Sequence, residues 1–118
     1  MVLIYTSYFA NYRKIPNDTI KIAICLYPPK GWTGYKYLEL SPSADMLSLA
    51  KSGNWSEFIK MYRSKLDCLE ADEVVENLYD ISGNSDIVLL CYEKNPSECH
   101  RSLVREWLIN SGHSCMEI

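Results

Sequence analysis

The stretch from residue 86 to residue 108 reads DIVLLCYEKNPSECHRSLVREWL, and it decides the fold. Its residues Ile87–Cys91 are apolar at five successive positions, the pattern of a central parallel strand covered on both faces. The following Asn95 and Pro96 predict the start of a helix, as its N-cap and its first helical residue. Apolar residues at helical spacing then give that helix a buried stripe: Leu103, Val104, Trp107 and Leu108. A buried strand followed by such a helix predicts an α/β domain with a parallel sheet.

Strand and helix signals on either side extend this pattern along the chain. Apolar runs predict strands over residues 2–5, 19–26 and 114–118. Helical spacing, caps and closing glycines predict three further helices, over residues 42–52, 55–66 and 71–81. We therefore expect a single domain, residues 1–118, with a small three-layer Rossmann-like sheet that is mostly parallel and has helices on both faces.

Composition and cysteine usage bear on where such a domain works. The 118 residues are 47% hydrophobic, enough for one core, and no apolar run approaches the roughly 20 residues that cross a bilayer. The first residues lack the basic leader and cleavage site of a secretory signal. The five cysteines form an odd, widely spaced set, unlike a secreted disulfide framework. We expect free thiols, a cytoplasmic location and no membrane partner.

Charged and aromatic residues are distributed unevenly. Residues 1–65 hold nine Lys and Arg against four Asp and Glu, whereas residues 66–118 hold three against eleven. Seven of the nine tyrosines lie in the basic half, and this combination favours a small anionic ligand, above all a nucleotide-derived one. Binding along an extended nucleic acid is not favoured, because the basic residues are scattered. Packed tyrosines and an ordinary charged surface would give the same composition.

The segment from Cys91 to Arg101 carries the residues best suited to chemistry. Cys91 ends the predicted central strand. Cys99, His100 and Arg101 fall in the first turn of the next helix, where free amides and the helix dipole attract anions. Arg101 is expected to hold a phosphate or carboxylate through two parallel hydrogen bonds. Cys91 or Cys99 is the expected nucleophile, and Glu93 or His100 the expected acid or base.

In this loop the chain resembles the bacterial and phage proteins of the domain-of-unknown-function 488 family. Members of that family have a strand ending in LLC, a glutamate two residues on, and a CHR tripeptide opening a helix with EWL. These features match Cys91, Glu93, residues 99–101 and residues 106–108. The segments YTSYFAN, PPKG and LSPS, at residues 5–11, 28–31 and 40–43, resemble the compact branch of the family. The resemblance implies a Rossmann-like fold but brings no established activity, substrate or cofactor.

The end of the first predicted strand would form the opposite wall of the ligand pocket. Residues from several elements are expected to complete binding: Thr6, Ser7, Tyr8 and Asn11 along that wall, Tyr5 or Tyr62 for stacking, and Lys30 and Arg63 for charge. Such a pocket favours a hydrolase or transferase acting at a glycosidic or phosphoryl bond. It is equally consistent with a non-catalytic protein that sequesters a nucleotide signal. A protein-interaction module using the aromatic loop of residues 32–37 is a further alternative.

Two anion- or metal-based interpretations of the cysteine loop are disfavoured. A phosphatase or sulfurtransferase loop does not fit, because the nine residues between Cys91 and Arg101 exceed the span of that cradle. Zinc could use Cys91, Cys99 and His100, but a closed structural site needs a fourth ligand. Neither a metal nor another cofactor is therefore predicted.

Two further interpretations concern the cysteines themselves. A redox pair of Cys91 and Cys99 is an alternative if the loop folds back on itself. In a purely structural interpretation both cysteines pack inside the domain, and Arg101 pairs with Glu93 or Glu98. That interpretation is weaker for the polar residues, since polar groups converging on a strand end need ligands or partners.

Overall fold

The computed structural model describes residues 2–95 and 98–118. Its strands are β1 (Ile4–Tyr8), β2 (Ile20–Ala23), β3 (Tyr35–Lys36), β4 (Ile87–Cys91) and β5 (Met116–Glu117). Its α-helices are α1 (Ala44–Lys51), α2 (Trp55–Asp67), α3 (Ala71–Ser82) and α4 (Arg101–Asn110). Short 3-10 helices lie at Phe9–Asn11 and Leu38–Leu40. In the described part of the chain, no helix combines the length and the apolar character needed to span a bilayer.

The sheet is parallel throughout, with the strand order β3-β2-β4-β1-β5. β4 lies in the middle, and all five of its residues are buried, which explains its unbroken apolar sequence. The expected Rossmann-like α/β fold, with IVLLC as a central strand, is therefore confirmed. Because the strands are parallel, the carboxyl ends of β2 and β4 meet at one edge of the sheet.

The two faces of the sheet are covered differently. One face carries Ile22, Ile87 and Leu89, and buried residues of all four α-helices join these in the larger core cluster. The other face carries Val88 and Leu90, which pack against a smaller set of residues: Ile15, Tyr5, Phe9, Trp32 and Ile118. The third layer, where the sequence predicts helices, thus consists of a 3-10 helix, loops and the chain end, and the α-helices contribute to the core on the other face.

Several element boundaries differ from the sequence prediction, among them those of β1 and α4. β1 runs to Tyr8 rather than ending before Thr6, because β4 pairs with it on one side and β5 on the other. α4 begins at Arg101, whereas the sequence placed its first turn at Pro96, which lies outside the described residues. His100 is the N-cap residue of this helix, and its carbonyl accepts hydrogen bonds from the Leu103 and Val104 amides.

Caps account for two of the remaining helix limits, and α1 begins at Ala44 rather than at residue 42, where the sequence predicts it. The Ser43 side chain accepts a hydrogen bond from the Met46 amide at the start of α1. α3 ends at Gly83, whose positive φ of 61° is the left-handed conformation that glycine adopts without a Cβ penalty. Asn54 occupies the N-cap position of α2 as predicted, but its side chain makes no capping hydrogen bond.

Candidate functional site

The cysteine loop folds back so that Cys91 and Cys99 form a disulfide. Cys91 is the last residue of β4 and Cys99 lies two residues before α4, and both are buried. The expectation of five free thiols is therefore wrong for this pair. The free cysteines are Cys25, Cys68 and Cys115, of which only Cys68 is exposed.

His100 is buried beside the disulfide. Its Nε2 lies 2.6 Å from the carbonyl oxygen of Ile24, so that nitrogen carries the proton and donates it. Nδ1 then has the free lone pair, 3.8 Å from the sulfur of Cys99. Burial lowers the pKa of His100 to about 4, and the nearby Arg101 charge adds to the effect, whereas the Ile24 carbonyl opposes it. The imidazole is neutral at pH 7.

Arg101 is completely buried and binds only protein groups among its described contacts. Its Nε and Nη2 donate to the two carboxylate oxygens of Glu117 at 3.0 Å, a bidentate pair. Nη2 also donates to the Lys94 carbonyl at 3.0 Å, and Nη1 donates to the Glu93 carbonyl and, at 3.3 Å, to the Cys91 sulfur. The partner carboxylate is thus Glu117, and the structural interpretation that chose Glu93 or Glu98 is wrong on this point.

A cleft opens directly beside these residues. Its inner part, about 80 Å³ in volume, is lined by Cys25, Cys91, Cys99 and His100, together with Trp55 and Phe58. Its outer part, about 480 Å³, is lined by Leu47, Ala50, Lys51, Trp55, Glu93 and Glu98. That outer volume lies within the range of roughly 300–1,000 Å³ typical of small-molecule sites. The sulfurs and the imidazole therefore stand at the narrow end of a cleft with a wider, partly apolar mouth.

The structure brings together four of the predicted site residues at this cleft: Cys91, Glu93, Cys99 and His100. The side chains of the predicted polar wall form hydrogen bonds with the last residues of the sequence. Thr6 Oγ1 donates to Glu117 at 2.7 Å, and Ser7 Oγ donates to the Ile118 carbonyl at 3.0 Å. Asn11 donates to both Ser7 and Ile118. These side chains fasten the carboxyl end of the chain to β1.

The remaining predicted residues lie apart from the inner cleft. Tyr8 places its ring 5.6 Å from the Arg101 guanidinium, while Tyr62 is fully buried, donates to the Leu40 carbonyl and contacts the His100 ring edge-on. Arg63 forms an exposed ion pair with Glu106, 3.5 Å away. Three others complete the set: Lys30 is exposed, Tyr5 packs on the second face of the sheet, and Trp32, in the proposed interaction loop, packs on Phe9.

Sequence reasoning missed three residues that shape the site. Cys25 lies two residues after β2, as Cys91 ends β4, and its place near the end of the strand predicted over residues 19–26 is a signal that the sequence offers. Glu117 lies in β5 opposite Thr6, and its role depends on strand register, which the sequence does not specify. Trp55 begins α2 and packs against the core, yet it also lines both parts of the cleft.

One family model matches the chain. It is described as the active DUF488-N3 subclade, DUF488-N3a, and it matches residues 4–112. This match confirms the family resemblance inferred from the cysteine loop, and it includes that loop entirely. No curated protein and no solved structure matches the chain significantly.

Proposed function

Because this chain belongs to the DUF488 family, through its active DUF488-N3 subclade, we propose that it is a cysteine-dependent hydrolase or transferase acting on a small ligand in the cleft. The observation that carries the proposal is the meeting of Cys91, Cys99 and His100 at the inner end of a cleft of ligand size. Nucleophilic thiols need an activating neighbour and access; Arg101 is the proposed neighbour, and the cleft is the proposed route to the two buried sulfurs.

The catalytic form in this proposal is the reduced dithiol. A reducing, cytoplasmic setting would keep Cys91 and Cys99 in that form, and the disulfide is then the inactive, oxidised form. Cys91 is the proposed nucleophile because Arg101, a permanent cation, donates a hydrogen bond to its sulfur and so favours the thiolate. Cys99, next to the neutral His100, is the second thiol that closes the disulfide.

The proposed reaction has two steps. The Cys91 thiolate forms a bond to an electrophilic carbon or phosphorus of the ligand, while the leaving group departs with its bonding electrons and takes up a proton from solvent. Water or an acceptor hydroxyl then displaces the thiolate and passes its proton to a carboxylate. Glu93 lines both parts of the cleft and is the proposed base for this second step.

The ligand class follows from the wider part of the cleft. Trp55 provides an aromatic ring and Leu47 and Ala50 an apolar wall, which suits a planar ring such as a nucleobase. Lys51 at the mouth is the proposed contact for the anionic end of a nucleotide-derived ligand. This assignment places the anion away from Arg101. The N–H groups of Arg101 already donate hydrogen bonds to the Glu117 carboxylate and to carbonyl oxygens of the cysteine loop.

Untargeted mass spectrometry of a metabolite extract tests the proposal. The reduced protein is incubated with the extract, in parallel with the Cys91→Ser variant and with Cys68→Ser, which changes an exposed thiol outside the cleft. We expect at least one compound to be consumed by wild type and Cys68→Ser but not by Cys91→Ser. Identical extracts after all three incubations would overturn the enzymatic proposal.

A non-catalytic binder is distinguished by the same samples. Native mass spectrometry of wild type and Cys91→Ser, mixed with the extract, would show one retained small molecule in both proteins without consumption of any compound. That outcome would favour a protein that sequesters its ligand in this cleft over an enzyme.

A thiol oxidoreductase is the second candidate, and the Cys91–Cys99 disulfide itself favours it. In that case two electrons from a dithiol reductant open the disulfide, and the resulting dithiol reduces a partner disulfide. Both cysteines would then be essential for electron transfer. Reduction of an insulin disulfide by catalytic amounts of wild type, but of neither Cys91→Ser nor Cys99→Ser, would support this candidate over the hydrolase or transferase.

A further inference from the structure

The three groups at the inner end of the cleft also have the composition of a metal site. Cys91, Cys99 and His100 each offer one ligand atom, all three residues are buried, and these atoms lie within 4.8 Å of one another. Two sulfurs and an imidazole nitrogen are ligands that zinc binds in preference to magnesium or calcium. The cluster joins the end of β4 to the segment before α4, so the fold fixes both parts.

The surroundings of these ligand atoms support the same conclusion independently. A histidine that binds metal through one ring nitrogen donates the other N–H to a carbonyl or carboxylate. His100 does this through Nε2 to the Ile24 carbonyl, which leaves Nδ1 directed toward Cys99. The Cys91 sulfur accepts a hydrogen bond from Arg101, an interaction that stabilises a thiolate ligand.

We propose that, in the reduced protein, Cys91, Cys99 and His100 bind one zinc ion, with its fourth position open to the cleft. A dithiol reductant first gives two electrons and two protons to the disulfide and becomes a disulfide itself. Zinc binding then releases the two thiol protons, so two thiolates, one neutral imidazole and Zn²⁺ carry no net charge. A neutral centre suits a buried site, since the Arg101 charge is already balanced by Glu117.

The inference rests on the proposed function only in requiring the dithiol form, and it adds a means of regulation. A zinc ion on Cys91 occupies the sulfur that acts as the nucleophile, so metal binding and covalent catalysis compete. We expect the fourth position to be open because all three protein ligands line the cleft. Zinc sites with three protein ligands hold a water molecule or a substrate in the fourth position. Cys25 lines the same inner cleft and is the alternative fourth ligand to be tested.

Native mass spectrometry of phosphine-reduced protein with one equivalent of zinc chloride tests the inference. Wild type, Cys25→Ser and Cys68→Ser are expected to retain one zinc ion per chain. Cys91→Ser, Cys99→Ser and His100→Gln, as well as oxidised wild type, are expected to retain at least tenfold less. Equal retention by all variants, or none by reduced wild type, would overturn the inference, and loss of zinc in Cys25→Ser would overturn the open position.

A second measurement needs no variant and so does not depend on how the substitutions fold. Zinc should slow iodoacetamide modification of Cys91 and Cys99 in reduced wild type at least tenfold, and leave the exposed Cys68 unchanged. Equal slowing of all three, or of none, would contradict a site at the cleft. The metabolite assay, run on zinc-free reduced protein, tests the proposed function separately, so either idea can fail without the other.

Discussion

The ion pair between Arg101 and Glu117 predicts a large effect of a small change. Replacing Glu117 by Gln keeps the size and one acceptor oxygen but removes the negative charge. Arg101 is completely buried, so it would keep its positive charge without a counter-charge. Breaking a buried pair costs roughly 3–5 kcal/mol. Because 27% of the Glu117 side chain is exposed and glutamine still accepts a hydrogen bond, we expect about 2–3 kcal/mol.

Urea unfolding followed by tryptophan fluorescence measures this free energy directly. Glu106→Gln is the matched control, because Glu106 pairs with Arg63 at 3.5 Å on the surface and both side chains are more than half exposed. Such exposed pairs contribute about 0–1 kcal/mol. The reasoning would be refuted if Glu117→Gln lowered the free energy of unfolding no more than Glu106→Gln did. That result would mean that Arg101 does not depend on Glu117 for its burial.

Three further predictions concern the core and its ionisable groups. Burial raises the pKa of Cys115 to about 11 from 9.0, so the unfolded chain loses this thiol proton first. The contribution of this thiol to stability should therefore fall by about 2 kcal/mol as pH rises from 8 to 10.5, and Cys115→Ala should lack that part of the fall, as urea unfolding at these two pH values would show. Tyr62→Phe should cost about 1–2 kcal/mol, because the Leu40 carbonyl loses a buried donor; equal midpoints for variant and wild type would contradict this hydrogen bond. Leu89→Ala, at a fully buried position of β4, should cost about 2–5 kcal/mol in the same assay, and a loss below 1 kcal/mol would argue against a close-packed central strand.

The fold was predictable where local sequence and burial agree. The apolar run at Ile87–Cys91 specifies a strand covered on both faces, and it lies at the centre of the sheet. Periodic apolar residues and capping signals likewise gave the positions of α1, α2 and α3. The distribution of helices over the two faces depends on how the connections cross the sheet, and local periodicity carries no information about that.

The candidate site was predictable in its residues more than in its contacts. The position of Cys91 at a strand end and of His100 close to a helix start follows from local patterns, and both lie at the cleft. The partner of Arg101 could not be read in the same way, because Glu117 reaches it only through the pairing of β5 with β1. The sequence also favoured free thiols, since a disulfide between Cys91 and Cys99 depends on the path of the loop between them.

Cysteine reactivity tests the central claim, that Cys91 is an activated thiol at the end of a ligand cleft. The protein is reduced and exposed briefly to iodoacetamide at pH 7, and the modification of each cysteine is measured by peptide mass spectrometry. We predict that Cys91 reacts roughly tenfold faster than the exposed Cys68, because Arg101 favours its thiolate. A Cys91 that reacts as slowly as the buried Cys25 and Cys115 would contradict the account.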